Sequence, residues 1–273
     1  MSLIDVQALP DTRGVGLDEV GVDGLRYPVL VCDGHGNKRD TVATMTMSVD
    51  VAREVKGAHL SRFVEVLHAW RDQLSAASLV LMTDDLRHRM GSGRATVATA
   101  FVYFLERRAP ATGAVSFMDY PCTVTATVGP DGSVVRLRVE VAVTSVCPCS
   151  KAISDRGAHN QRGRVIVDVE LADPDDGLWF DELVDIAERS ASSPLYALLK
   201  RPDERHVTMA AYDNPVFVED MARNVAVALR HDRRVVRGSV RVVNDESIHN
   251  HAAYAQVSWS CADQGGDDAE ARH

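Results

Sequence analysis

The chain has 273 residues, of which 45% are hydrophobic and 25% charged, a composition ordinary for a globular protein large enough for two modules. Its formal net charge of −9 argues against a general nucleic-acid or anionic-membrane binder, because both depend on excess positive charge. No apolar run approaches the length of a membrane span, and the N-terminus lacks the basic and apolar parts of a signal peptide, so we expect a cytoplasmic protein.

The first half of the chain is predicted to have the order strand, strand, helix, helix, strand, strand. Residues 1–24 are rich in Gly and Asp and are predicted to form an irregular lead-in. The elements expected after it are strands over 25–32 and 41–51, helices over 59–75 and 82–90, and strands over 94–107 and 114–128. The second helix is expected to end at the Gly91-Ser-Gly93 break, and Gly129-Pro-Asp-Gly132 to form a turn.

The second half is predicted to repeat this order of elements. Its elements are strands over 134–146 and 163–171, helices over 178–190 and 216–230, and strands over 235–243 and 252–260. The polar tail, 262–273, is predicted to be disordered. Long strands joined as hairpins favour antiparallel sheets with helices on one face, so we expect an α+β protein of two modules, 25–130 and 131–261.

The segment from Cys147 to Arg162 carries the densest chemistry. Two thiols, Cys147 and Cys149, and one imidazole, His159, follow an apolar strand and lie among basic side chains. Thiols and imidazoles bind borderline metals, and Lys and Arg suit a phosphate-bearing substrate. Because this segment cannot supply four ligands alone, a metal bound here would need ligands from elsewhere in the chain.

Three other segments could supply such ligands or could be ordinary surface. Glu246 and His249 lie in the final hairpin, where a metal site and a polar turn are equally good interpretations. Residues 200–205 are interpreted, taken alone, as a charged loop between two helices. Glu219 lies in the first turn of a helix, where acidic residues ordinarily favour the helix dipole.

The stretch 56–62, Lys-Gly-Ala-His-Leu-Ser-Arg, opens the first helix. A helix N-terminus beside Lys, Ser and Arg is a suitable phosphate site. A solvated helix face is the ordinary alternative, and this signal alone is weak.

Taken together, the chain resembles the bacterial type IB GTP cyclohydrolases in seven ordered blocks. These are Asp5-Val-Gln, Val20-Gly-Val with Leu25-Arg-Tyr-Pro28, KGAHLSRFVE, SVCPCSKAIS with GAHNQR, LLKRPDE, AYDNPVFVED and ESIHNH. The resemblance implies tandem tunnelling-fold modules, each an antiparallel four-stranded sheet with two helices on one face. It also implies a homotetramer with active sites at the subunit interfaces.

The activity implied by this resemblance is the conversion of GTP and water to 7,8-dihydroneopterin triphosphate and formate, the first step of pterin and tetrahydrofolate biosynthesis. The implied cofactor is a divalent metal, Mn²⁺ or Zn²⁺, with Fe²⁺ a third option. When bound to such ligands, the metal would activate water near neutral pH for attack on C8 of the guanine.

The same resemblance assigns roles to individual residues. It implies a metal shell of Cys147, His159, Glu204, Glu246 and His249. Cys147 and His159 would also be catalytic, with His159 as a proton shuttle. Glu219 would anchor the guanine by accepting hydrogen bonds from its N1–H and N2–H₂ groups. The implied triphosphate donors are Lys56, His59, Ser61, Arg62, Arg162, Lys200 and Arg201.

Two details of the matched blocks qualify these roles. Cys149 and His251 lie inside matched blocks without an implied role. Residues 243–245 are Val-Asn-Asp, where the family more often has an aromatic residue. This departure concerns packing around Glu246 more than its chemistry.

Two alternative functions follow from the same residues. A 7-deazaguanine nitrile reductase of the same fold also uses a Cys after a strand and a Glu anchor, but it needs NADPH and no metal. A non-catalytic purine- or metal-binding relative would not need to keep both the ligand set and Glu219. The complete ligand set favours the cyclohydrolase over both.

Overall fold

The computed structural model describes residue 7, residues 10–32 and residues 37–260. The chain forms two compact units, each assembled from separate segments. The first unit contains the described residues up to Phe101, together with Thr123–Arg136 and Asp173–Gly177. The second contains Val102–Cys122, Leu137–Ala172 and the described residues from Leu178 onward. The modules 25–130 and 131–261 stay a prediction, and the tail 262–273 lies outside the described residues.

The first unit is a layer of strands covered by two helices. Its elements are β1 (Leu17–Cys32), β2 (Lys38–Val51), α1 (Leu60–Trp70), α2 (Ala76–Met90) and parts of β3 (Ala95–Arg108), β4 (Val115–Gly129) and β5 (Gly132–Val146). Strands β1, β2 and β3 pair antiparallel in that order. Alternate residues of β2, including Met45 and Met47, are completely buried, as are Phe63 and Leu67 of α1. This period-2 burial produces the alternation seen in the sequence.

Strand β1 begins at Leu17, so the prediction of an irregular segment over 1–24 is wrong for its last residues. Its register with β2 shifts between Leu17 and Val20 and again between Val22 and Leu25, and Gly24 has a φ of 67°. Bulges of this kind accommodate glycine at positive φ. The Gly-rich composition therefore belongs to a bulged strand rather than to a loop.

Helix boundaries in the first unit depend on caps. Helix α2 begins at Ala76, before the predicted residue 82, because Ser75 and Ser78 form a reciprocal capping box. It ends as predicted at Gly91, whose φ of 63° is left-handed. Helix α1 ends at Trp70, earlier than the predicted residue 75.

The second unit is built from the ends of strands β3 to β5 and all later elements. These are α3 (Pro148–Ile153), β6 (Asn160–Leu171), α4 (Phe180–Arg189), β7 (Ser193–Pro194), α5 (Arg201–Asp213), α6 (Val218–Arg230), β8 (Val235–Asn244) and β9 (Ala253–Ser260). Strand β8 pairs antiparallel with β6 and β9, and β7 pairs with β5. The antiparallel strands and helical layer confirm the predicted α+β class.

The core of the second unit contains one unusually close strand contact. Trp259 of β9 is opposite Gly238 of β8 and is 5% exposed. A Cβ atom at position 238 would lie 2.3 Å from Cζ2 of this indole, so the ring occupies the space that a side chain would need. Only glycine permits this approach.

Three elements of the second unit were not predicted: α3, β7 and α5. The stretch 200–205, predicted as a loop, is instead the N-cap and first turn of α5. Only Asp203 and Ala211 of this helix are buried, so its sequence lacks the apolar stripe by which helices are recognised. The second half is therefore not a simple repeat of the first. Among the described residues, no helix is long and apolar enough to cross a membrane.

Candidate active site

A cavity of about 310 Å³ in the second unit collects most of the predicted chemistry. We call it the second-unit pocket. Of the residues predicted from the sequence, it is lined by Cys147, His159, Glu219, Glu246 and His249. They come from the start of α3, the approach to β6, the first turn of α6 and the connection between β8 and β9.

Cys147 is placed by the junction of β5 and α3. It is the N-cap of α3, and its Sγ accepts the backbone N–H of Ser150 at 3.4 Å. Its own N–H donates to the carbonyl of His159 at 3.1 Å, which joins the thiol segment to the start of β6. Lys151 donates to the carbonyl of Tyr212 and lies 4.3 Å from the centre of its ring. This cation therefore anchors α3 to α5.

His159 and Glu246 are two largely enclosed members of the predicted metal shell. Their side chains are 12% and 13% exposed, and Nδ1 of His159 lies 3.8 Å from Oε2 of Glu246. The same Nδ1 lies 2.9 Å from Oε1 of Gln161. The backbone N–H of His159 donates to Oγ of Ser150 at 3.1 Å. Nδ1 of the imidazole therefore faces both Gln161 and Glu246, and the backbone of His159 is held by Ser150.

Four exposed side chains form what we call the rim of the second-unit pocket: Cys149, Glu219, His249 and His251. The rings of His249 and His251 stack with centroids 5.3 Å apart. Glu219 projects from the first turn of α6. These side chains are accessible to a ligand from solution.

Three buried side chains form what we call the floor of this pocket: Ser145, Gln161 and Asn244. They are 1%, 7% and 2% exposed, and they bond to one another through the Ser145 hydroxyl. None was assigned a role from the sequence. Gln161 lies inside the matched block GAHNQR, which is the one signal that could have drawn attention to it.

The donor types of this pocket fit a divalent transition metal. Thiolate, imidazole and carboxylate are the ligands that Zn²⁺, Mn²⁺ and Fe²⁺ accept. Cys147, His159, Glu246 and His249 all line this one cavity. Over residues 10–32 and 37–260, no three potential ligands converge closely enough to hold an ion in this conformation.

Glu204 and three of the predicted cations lie elsewhere in the second unit. Arg162, Lys200, Arg201 and Glu204 are exposed and are not among the residues that line the pocket. Their predicted roles rest on the resemblance alone.

The N-terminus of α5 is fixed by a buried carboxylate, Asp203, which is fully buried. It accepts hydrogen bonds from the backbone N–H groups of Ala111 and Thr112 at 2.8 Å, the N–H of Lys200 at 2.9 Å and the Thr112 hydroxyl at 2.7 Å. Burial acts to raise the pKa of Asp203, but these four donors outweigh it and hold the pKa well below its usual range. Asp203 thus positions the turn that carries Glu204.

The first unit holds the remaining predicted phosphate donors. His59 and Arg62 line a separate cavity of about 200 Å³, together with Asp50. Arg62 donates to the carbonyl of Arg89 at 3.1 Å. Lys56 and Ser61 are exposed. They are close in sequence to His59 and Arg62 but do not line this cavity.

Residues 3–255 match the model of one protein family, described as type I GTP cyclohydrolase folE2. The chain belongs to this family. The match spans both units and includes every predicted site residue, so the resemblance seen in the sequence is confirmed.

Relatives of this folE2 family cover nearly the whole chain. The GTP cyclohydrolase FolE2 of Methylococcus capsulatus is 44% identical over 257 residues, which are 94% of this chain and 95% of the relative. The GTP cyclohydrolase FolE2 of Thermosipho melanesiensis is 43% identical over 253 residues, 93% of this chain and 96% of the relative.

The fold of this type I cyclohydrolase family member is also found in uricases. The uricase of Arthrobacter globiformis matches with a TM-score of 0.54 at 8% identity, covering 90% of this chain and 94% of the uricase. The uricase of Bacillus fastidious matches with a TM-score of 0.53 at 7% identity, covering 93% and 96%. At this identity the likeness concerns the fold alone, and it supports the expected tunnelling fold.

Proposed function

We propose that this chain is a type IB GTP cyclohydrolase, which converts GTP and water to 7,8-dihydroneopterin triphosphate and formate at the start of pterin and tetrahydrofolate biosynthesis. The observation that carries the proposal is a single pocket lined by Cys147, His159, Glu219, Glu246 and His249, in a chain of the folE2 family. Relatives that cover nearly the whole chain bear the name GTP cyclohydrolase.

A divalent metal, Mn²⁺, Zn²⁺ or Fe²⁺, is part of the proposal. Cys147, His159, Glu246 and His249 would hold it, and Glu204 is the further ligand implied by the resemblance. When bound, such an ion lowers the pKa of water and so supplies a nucleophile at neutral pH. The pair formed by His159 and Glu246 supports this role, because both side chains are enclosed and lie in the same cavity.

Glu219 is proposed to select guanine. Its carboxylate can accept from the N1–H and N2–H₂ groups of guanine together, and its exposed position on the rim leaves it open to the base. Adenine carries no N1–H and no 2-amino group, so it would leave the carboxylate unpaired. Glu219 thus contributes selectivity as well as binding.

The reaction needs proton transfers at the imidazole ring of the base, and His159 is the proposed shuttle. Water adds at C8 and the ring opens, and a second water releases formate. The ribose then rearranges and the new ring closes with loss of one water, so that one water is consumed overall. The His159 side chain is largely enclosed, and this suits these steps because few water molecules can compete for the proton.

The triphosphate is proposed to bind cations and neutral donors. The candidates are Lys56, His59, Ser61, Arg62, Arg162, Lys200 and Arg201. Local clusters are required because the net charge of −9 gives no general attraction for an anion. We also propose a homotetramer with active sites at its interfaces, and light scattering after size-exclusion chromatography measures its mass directly.

The activity is tested by adding metal back to metal-stripped protein in the presence of GTP. We expect formate release and, after oxidation, a fluorescent pterin with Mn²⁺, Zn²⁺ or Fe²⁺ but not with the stripped protein. NADPH consumption with a 7-deazaguanine nitrile and no metal requirement would sink the proposal in favour of the reductase. Cys149→Ala is the control for Cys147→Ala, because Cys149 lies two residues further along, in the short helix that Cys147 caps.

A further inference from the structure

The floor of the second-unit pocket forms a chain of hydrogen bonds that ends on His159. The hydroxyl of Ser145 lies 3.0 Å from the carbonyl oxygen of Val216. Oγ of Ser145 also lies 3.1 Å from Nδ2 of Asn244 and 3.5 Å from Nε2 of Gln161. At its other end, Gln161 places Oε1 2.9 Å from Nδ1 of His159. The mechanism above does not use the three floor residues.

Only one assignment of donors and acceptors satisfies all of these hydrogen bonds. The Ser145 hydroxyl has a single proton, and the Val216 carbonyl can only accept, so the proton is committed to that carbonyl. The other two contacts of Ser145 Oγ, with Asn244 and Gln161, must then come from N–H donors. The amide of Gln161 therefore turns its NH₂ group toward Ser145 and its carbonyl oxygen toward the imidazole.

An amide oxygen can only accept a hydrogen bond, so the ring nitrogen that faces it must carry a proton. Oε2 of Glu246, 3.8 Å from the same Nδ1, is a second acceptor on that side. The opposite tautomer would set a lone pair of His159 against the oxygen of Gln161 where little water is available. Buried groups avoid such unpaired contacts.

We propose that Gln161, fixed in orientation by Ser145 and Asn244, is a positioning residue that holds His159 as the Nδ1–H tautomer. Nε2 is then the ring nitrogen with a free lone pair, and it is the atom through which His159 binds metal or exchanges a proton. This inference deepens the proposed function and rests on it for the use of Nε2, but the tautomer is a property of the metal-free protein.

The surroundings of Asn244 show that this series of hydrogen bonds is part of the sheet. Asn244 is the register partner of Gly163 in the pairing of β8 with β6. A Cβ atom at position 163 would lie only 2.6 Å from Oδ1 of Asn244. Glycine at 163 therefore leaves the space in which the amide of Asn244 can point its NH₂ group at Ser145.

The decisive measurement is the side-chain ¹H–¹⁵N correlation spectrum of metal-free protein labelled at histidine, recorded at about pH 8, where an ordinary imidazole is neutral. We expect His159 to show a protonated Nδ1 and an unprotonated Nε2. The reverse pattern in the wild-type protein overturns the inference without any variant. It would leave cyclohydrolase activity untouched, so the two proposals fail separately.

Gln161→Met tests the cause, because methionine has a similar length but offers no carbonyl oxygen. We expect loss of the Nδ1–H preference and a fall in metal affinity of roughly 10- to 100-fold, as for other partners of metal-binding histidines. Affinity is measured by competition with a chromophoric chelator. Gln161→Glu keeps an oxygen that can accept from Nδ1 but cannot donate to Ser145, so it should retain the Nδ1–H tautomer while losing the bond to the floor.

Gln256→Met is the matched control. Gln256 lies on β9 and accepts from Arg241 at 3.2 Å, and it does not line the pocket. It should keep both the tautomer and the metal affinity of the wild type, with circular dichroism checking the fold of each variant. An unchanged tautomer in a folded Gln161→Met protein would overturn the role of Gln161.

Discussion

The floor and the rim of the second-unit pocket are both polar, but the fold treats them differently. The floor side chains are almost completely buried, and their hydrogen bonds join them to one another, to the Val216 carbonyl and to His159. The rim side chains are exposed. Buried polar groups must be paired and so fix orientation, whereas exposed groups remain available to a ligand. Variants in the two regions should therefore fail in different ways.

The largest effect is expected at Cys147, which lies between the two regions at the junction of β5 and α3. Cys147→Ala should lower kcat by on the order of 10³-fold, because loss of several kcal/mol of metal-assisted stabilisation corresponds to about that factor. Formate release under saturating GTP measures it. Wild-type turnover by the alanine variant would remove Cys147 from the mechanism.

A rim variant should lose binding rather than structure. Glu219→Ala should lower kcat/KM for GTP by roughly 10²-fold, since hydrogen bonds to a charged group contribute about 1.5–3 kcal/mol each. Its unfolding midpoint should match that of the wild type because Glu219 is exposed. Equal discrimination between GTP and ATP by the variant and the wild type would show that the anchor lies elsewhere.

Metal binding should stabilise the pocket as a whole. With free metal at 100 times its Kd, the free energy of unfolding should rise by about 2.7 kcal/mol through mass action. Urea titrations with and without Mn²⁺ measure this difference. Cys147→Ala should show a smaller rise at the same metal concentration, and an equal rise would mean that the ion binds without the thiol.

The smallest expected effect is a pH dependence of the free energy of unfolding that arises from Asp203. Like the floor residues, Asp203 is buried and hydrogen-bonded within the fold. Its pKa lies below the ordinary value of 3.8, so its contribution to stability is present above that pH and is lost as the pH falls through the folded value. Asp203→Asn should therefore be less stable than the wild type near neutral pH, with a gap that narrows in acid.

Urea unfolding between about pH 3 and pH 7 tests this sign. The control is Asp213→Asn, since Asp213 is exposed at the other end of α5 and should change stability little at any pH. A gap between Asp203→Asn and the wild type that widened in acid would contradict the assignment.

Much of the fold could be predicted from local pattern. Strands such as β4 and β5 alternate buried and exposed residues, and α6 carries an apolar stripe with Met221, Val225 and Leu229 fully buried. Helix α5 escaped prediction because it packs by way of Asp203 rather than by an apolar face. The first part of β1 was not predicted, because the glycines at its bulges resemble those of an irregular segment.

The candidate site divides in the same way. The candidate ligand residues could be predicted because they lie in short blocks whose spacing could be compared with a family. Ser145 and Gln161 lie inside matched blocks, but the hydrogen bonds of the floor could not be predicted, because they join residues far apart in sequence, such as Asn244 and Ser145. A buried serine or asparagine in a strand gives no periodic signal. Only the folded chain brings these groups together.

The contact of Trp259 with Gly238 has a practical consequence. The indole is enclosed in the hairpin whose connection carries Glu246 and His249, so its fluorescence is an optical reporter of whether that hairpin is closed. With Trp70 and Trp179 replaced by phenylalanine, the emission of this remaining tryptophan would follow β8 and β9 alone. Unfolding of this hairpin could then be followed in a stopped-flow instrument without an attached dye.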